Sequence, residues 1–217
     1  MLYESAYISI IIQIIVGIID FFGLQINIPK DKELFKDLLK VELGVQTVEF
    51  IFYLWMIYNL NRIKNITPYR YFDWLITTPI MLITLSAYLD DKNYKNLKEY
   101  IYENKEYVIK IVGLNMLMLI LGLIGELNPN YYNTFITLGF IPFIIYFRMI
   151  YTKYITKNIS KDKIGLFLFF TIVWTLYGIV AFLPYELKNT SYNILDLFAK
   201  NLFGLFLVYI LWTYRIK

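Results

Sequence analysis

Cysteine and histidine are both missing from the chain. Without cysteine there is no disulfide framework, no thiolate nucleophile and no sulfur ligand for zinc. Without histidine there is no Ser-His triad and no imidazole relay, so proton chemistry has to run through carboxylates, lysine, tyrosine or water. We therefore expect no metal site and no thiol- or imidazole-dependent enzyme. Charge is scarce as well: Asp, Glu, Lys and Arg make up 18% of residues, against 59% hydrophobic and 19% aromatic, and the mean hydropathy is +0.53. A soluble core of 217 residues does not need that much apolar surface, whereas a lipid solvent does. The net charge of +4 implies no nucleic-acid partner, because the basic residues fall between apolar runs, where membrane topology explains them.

Those runs are each roughly 20 residues or longer, the length that crosses a bilayer core. Seven are expected, near residues 4–24, 33–61, 67–89, 106–126, 131–155, 164–184 and 190–214. The first, from Ser5 to Leu24, follows Glu4 and not a basic segment, and no small-residue cleavage site comes after it, so it reads as a retained span. Pro and Asn punctuate connections such as Asn27–Lys32, Asn61–Pro68, Asn128–Asn130 and Leu183–Asn189. With no repeat and no low-complexity tract, 1–217 reads as a single all-α membrane domain, a seven-helix bundle embedded in the lipid bilayer. Sixteen Lys and Arg fall on one side, from Lys30 through Lys157 to Lys217, and only Arg62, Lys64, Arg70 and Lys188 on the other. Cytoplasmic loops hold the basic excess, so the N-terminus is expected outside and the C-terminus inside.

One basic residue belongs to neither side. Lys200 sits mid-way along the seventh run, about ten residues from either end, too deep for its amine to reach water comfortably. Asp196, four residues earlier, shares its face of the helix. The pair is either a structural tie between helices or a reactive amine beside its counter-ion, and ionisable groups this deep usually mark function. Arg70 and Asp73, three apart on the third run, complete a quartet without net charge, which makes burial tolerable.

Arg70-Tyr71-Phe72-Asp73-Trp74-Leu75-Ile76-Thr77-Thr78-Pro79 on the third run and Asp196, Ala199, Lys200, Phe203 and Gly204 on the seventh resemble the counter-ion and attachment segments of the microbial rhodopsins. The fourth run, with Gly113, Asn115, Met118, Gly122, Gly125 and Leu127, is similar without a gap, and Trp174, Tyr177 and Tyr53 resemble family positions too. The resemblance spans nearly the whole chain, although the first and fifth runs match only in hydrophobicity. It implies retinal held as a protonated imine on Lys200, balanced by Asp73 and Asp196. Trp74, Thr78, Met118, Gly122, Trp174 and Tyr177 would line the cofactor's site. Arg70, Thr77 and Tyr53 would serve the counter-ions, with Asp73 the nearest proton acceptor and Thr77 its hydrogen-bond partner. The aromatic positions alone would read as plain core. Thr78 is expected to bond Asn115, either as a structural tie or as a gating pair. Gly178 and Ala181 stand where the pumps of the family have Pro and Trp, which implies a looser pocket there.

Proton pumps of this type carry a carboxylate three turns past the acceptor, and here that position is Thr84, a poor donor. On the opposite side Glu186 and Glu126, with Lys188 close by, are the only carboxylates near helix ends. The second run supplies what the third lacks: Glu42, Gln46, Glu49 and Tyr53 are spaced by four, three and four, a polar stripe on an otherwise apolar helix. Two acids within a span face the interior or water. The stripe is an interhelical hydrogen-bond network, a cation pathway, or a relocated proton donor at Glu42. Ser9, Gln13, Asn193 and Asn201 would add polar lining. This pattern is most similar to the rhodopsins of large algal DNA viruses, in particular the light-gated cation channels. The resemblance implies a channel for monovalent cations or protons in a membrane of an infected algal host cell, possible as a homo-oligomer. The alternatives are an outward proton pump with Glu42 as donor and a sensory photoreceptor.

Overall fold

The computed structural model describes residues 1–90, 92–155 and 160–216, so Lys157 and Lys217, counted above with the basic side, lie outside the described residues. Nine α-helices are described: α1 (Leu2–Gly23), α2 (Glu33–Asn59), α3 (Thr67–Leu89), α4 (Leu97–Glu103), α5 (Lys105–Leu127), α6 (Tyr132–Ile150), α7 (Lys161–Val180), α8 (Tyr185–Asp196) and α9 (Leu202–Thr213). A π-helical turn, Leu197–Asn201, joins α8 to α9 into one span. Seven stretches are long and apolar enough to cross a membrane, and among the described residues there is no strand. In lipid a helix satisfies its backbone internally, which is why apolar runs of this length form helices and nothing else.

The spans pack in a closed ring, α1 on α2, α2 on α3, α3 on α5, α5 on α6, α6 on α7, α7 on α8, and α1 back on α8 and α9. Their outward faces are apolar and unpartnered: Ile8, Ile11, Ile15 and Ile18 on α1 are each more than half exposed. Such faces suit a lipid surrounding. The inward faces differ. On α1 the buried residues include Ser9, Gln13 and Asp20, and on α2 they include Glu42, Gln46, Glu49 and Tyr53.

Two boundaries differ from expectation for one reason. The sixth span ends at Val180 and the seventh begins at Tyr185, because Pro184, with its fixed φ and missing N–H, caps a helix start better than it continues a link. Residues 185–189 are thus helical, and they carry Lys188 and Asn189 inward. Nor is α4 anticipated from the sequence. Asn96 caps it through the Glu99 amide at 2.9 Å, and the Tyr100 hydroxyl meets that of Tyr154 at 2.9 Å.

Candidate functional site

Lys200 lies on the π-helical turn and is 1% exposed. Its Nζ is 2.6 Å from Asp73 Oδ2 and 3.6 Å from Asp196 Oδ1. Arg70, also fully buried, pairs with Asp196 Oδ2 at 3.4 Å. The four expected charges thus meet, but across the bundle instead of along α3: Lys200 bridges the two acids, and Arg70 reaches the seventh span, not Asp73. Each cation has an opposite charge in contact, without which burial would cost several kcal/mol, about 3–5 for a pair broken on one side.

Asp196 is held on all sides. Its Oδ2 accepts from Tyr53 at 2.8 Å and its Oδ1 from Tyr177 at 2.6 Å. Arg70 donates from Nε to Asn189 Oδ1 at 2.9 Å, from Nη2 to the Asn189 carbonyl at 3.2 Å, and to Asn193 Oδ1. Asn189 in turn donates to Thr67 at 2.9 Å. Asn193, expected as pathway lining, is therefore part of the arginine's cradle, tied also to Ser5 Oγ at 2.8 Å, while Ser9 bonds the Asn193 carbonyl at 3.2 Å. Asp73 is looser, because its Oδ1 has no protein partner. The expected bond from Thr77 to that carboxyl is absent. The Thr77 hydroxyl donates instead to the Asp73 main-chain oxygen at 2.9 Å, the local bond four residues back that threonine makes readily in a helix.

Beside Lys200 a cleft runs between α3, α5, α6, α7 and the seventh span. Trp74, Thr78, Met118, Gly122, Trp174 and Tyr177, the six expected lining residues, all border it. Trp74 is edge-on to both Tyr177 and Tyr192, at 5.5 and 5.0 Å between centroids. A Cβ at Gly122 would lie 2.6 Å from the Tyr71 hydroxyl, so this glycine is what lets α5 approach α3. The looser pocket expected near Gly178 is not found: the Phe140 ring fills that space, and a Cβ on Gly178 would run into it. An apolar slot with an amine at its wall suits a long polyene aldehyde, so the residues present fit retinal.

Asn115 Nδ2 donates to Thr78 Oγ1 at 2.8 Å, joining α5 to α3. On the side away from the basic loops, Glu126 is gripped by Lys188 at 2.8 and 3.1 Å, while Glu186 is exposed, its carboxylate 3.7 Å from the N-terminal amine.

The stripe on α2 is buried throughout. Thr84 donates its hydroxyl to Glu42 Oε1, which brings an acid to the place where the third span has none. Gln46 Nε2 donates to Asp20 Oδ2 at 2.5 Å. Both side-chain polar atoms of Gln13, Glu49 and Asn201 lack protein partners, although all three residues are at most 3% exposed. Buried polar groups of this kind are satisfied by water or ions when protein does not serve them.

Sequence reasoning missed Asp20, Asn189 and Tyr192. A signal was there for two of them. Asn189, Asn193, Asp196 and Lys200 repeat the four-three-four spacing of the α2 stripe, and Asp20 stands seven residues from Gln13 on one face of α1.

Residues 2–214 match the family model described as bacteriorhodopsin-like protein. No curated protein sequence matches. Among solved structures, the viral rhodopsin OLPVRII superposes with a TM-score of 0.82 at 25% identity, covering 99% of each chain. The proton-pumping rhodopsin AR2 of the marine alga Acetabularia acetabulum gives 0.79 at 17%, covering 98% of this chain and 95% of that one. Halorhodopsin, a light-driven chloride pump, gives 0.76 at 15%, covering 98% and 95%. The last two likenesses bear on the fold alone.

Proposed function

The chain belongs to the bacteriorhodopsin-like family of microbial rhodopsins, and on that premise we propose that it is a retinal-binding photoreceptor that conducts cations across its membrane when lit. Retinal, attached through Nζ of Lys200 in the slot described above, would supply light absorption and a change of shape. The protein supplies the rest. Asp73 and Asp196 neutralise the attachment site, and Asp73 Oδ2 at 2.6 Å is the acceptor within reach of a proton on Nζ. Trp74 and Trp174 border the slot and confine what it holds.

One observation carries the conducting reading. Between α1, α2 and the seventh span lies a run of buried polar atoms without protein partners, on Gln13, Asp20, Glu42, Gln46, Glu49 and Asn201. Of these, Asp20, Glu42 and Glu49 have no cation within ion-pair distance among the described residues. Acidic side chains lining an interior path favour cations over anions. Toward the basic side α2 and α9 bury Leu38, Leu39, Leu207 and Leu211, and toward the other side lies the Arg70 network. On the conducting reading, light has to open a way past both.

A second reading rests on the Thr84–Glu42 bond. It puts a proton donor at the level where a pump needs one, so an outward proton pump with Asp73 as acceptor and Glu42 as donor is the alternative. On either reading the membrane would be that of an infected algal cell, a placement that rests on the sequence resemblance alone.

Voltage-clamped photocurrents separate the two. Current that reverses with the cation gradient supports the channel, current of one direction at all voltages supports the pump, and no current overturns both. Lys200→Ala should form no pigment and a retinal adduct should map to Lys200, while Glu42→Gln and Glu49→Gln should change conductance or selectivity with absorbance nearly intact.

A further inference from the structure

Asp20 belongs to none of the groups that Lys200 organises, yet it is fully buried. It sits on α1 near the basic side, where a carboxylate could have turned outward to solvent and does not. Its Oδ2 accepts from Gln46 Nε2 on α2, while its Oδ1 and the Gln46 Oε1 have no protein partner. The third wall is Gly204 on α9, four residues past Lys200. A Cβ built on Gly204 would overlap both Asp20 Oδ2 and Gln46 Nε2, so only glycine leaves the carboxyl and the amide room to meet there. On α1 itself, a Cβ on Gly17 would lie 3.9 Å from Gln46 Oε1. A carboxyl, an amide and two bare backbone positions thus converge where three spans cross.

The position matters because of what flanks it. Gln46 is the neutral residue between the two acids of the α2 stripe, three residues from Glu49 and four from Glu42. Those two acids are seven residues apart, roughly 10 Å along a helix. Asp20, reaching in from α1 at the level of Gln46, divides that gap and makes an acid available about every turn. Glu49, fully buried with neither oxygen bonded to protein, faces the same run from the next turn.

We propose that Asp20 is an acidic station of the cation path between Glu49 and Glu42, and that its bond to Gln46 is the bar that closes the path there. The inference rests on the conducting reading. A cation passing this level has to part Asp20 from Gln46, and the freed carboxylate is then the group that receives it.

Light-gated sodium currents, recorded at matched pigment absorbance, test the proposal. Asp20→Asn keeps an acceptor for Gln46 but loses the charge. The current should fall about tenfold or more, the lower end of what a charged cleft adds to local cation concentration, with the absorption maximum unchanged. Current equal to wild type in Asp20→Asn overturns the proposal, and so does a loss seen only in Asp20→Ala, which would mark a structural tie. Gln46→Leu should slow current decay after the light is switched off by about threefold, the factor that the average interhelical hydrogen bond of about 0.6 kcal/mol is worth. Unchanged decay overturns the bar, including where Asp20→Asn yields no pigment. Wild type without a reversing current would sink the conducting reading itself, and this inference with it, whereas a normal wild type with silent variants sinks this inference alone.

Discussion

Asp196 offers a graded test of how the buried charges are held. Its Oδ1 accepts one hydrogen bond, from Tyr177 at 2.6 Å, and faces Lys200 Nζ at 3.6 Å. Its Oδ2 accepts two, from Tyr53 at 2.8 Å and Arg70 at 3.4 Å. Tyr177→Phe therefore leaves an oxygen with no hydroxyl or amide donor, while Tyr53→Phe leaves one still bonded to a guanidinium. Interhelical hydrogen bonds in membranes contribute about 0.6 kcal/mol on average and about 1.7 at most, and bonds to an ionised acceptor are roughly twice neutral ones. Tyr177→Phe should then cost about 2 kcal/mol and Tyr53→Phe about 1. At about 2–4 °C per kcal/mol for a chain of this length, the thermal midpoint of pigment loss should drop by about 6 °C and about 3 °C respectively. Both variants should also shift absorption to the blue, because fewer donors leave more negative charge facing the Lys200 nitrogen. Thermal bleaching in detergent, followed at the absorption maximum, gives both numbers. Equal midpoints in wild type and Tyr177→Phe, or a larger loss in Tyr53→Phe, would refute this account of the site.

Asp73→Asn removes the charge 2.6 Å from Lys200 and should shift absorption to the red, read directly from the spectrum. Lys188→Met strands Glu126 in a buried place and should lower stability by about 3–5 kcal/mol, whereas Lys188→Met combined with Glu126→Leu should recover most of it in thermal denaturation. Asn115→Leu breaks the 2.8 Å tie to Thr78, at a cost of about 1 kcal/mol in thermal stability. If photocurrent kinetics stay unchanged in that variant, the pair is a tie, and if closing changes, it belongs to the gate.

The spans were legible because membrane helices announce themselves by length and hydropathy, and Lys200 because a lone cation mid-span has so few bland explanations. What stayed hidden was mostly lateral. Asp20 lies three residues from the end of its helix, where an acid ordinarily turns to the interface, and only the packing of α9 against α1 shows that it turns inward. Asn189 fell in a stretch taken for a link, so its place beside Arg70 could not be read. Asn193 was read as pathway lining by its polarity, but a guanidinium with several donors recruits whatever carbonyl oxygens it can reach. For Thr77 the expected partner was the wrong one, since a hydroxyl in a helix has its own backbone as the nearest acceptor.

The widened turn at 197–201 has a mechanical meaning. A regular helix is stiff along its length, and bends concentrate where the ladder of backbone bonds is interrupted. Here the interruption falls on the residue that carries the amine, with straight segments of equal length, twelve residues each, on either side. A push at Lys200 thus acts at a hinge between two arms, one seated in the Arg70 cradle and the other bearing Gly204 against Asp20 and Gln46. A displacement too small to bend a rigid rod would change the angle between the two arms, and with it the contact at Gly204.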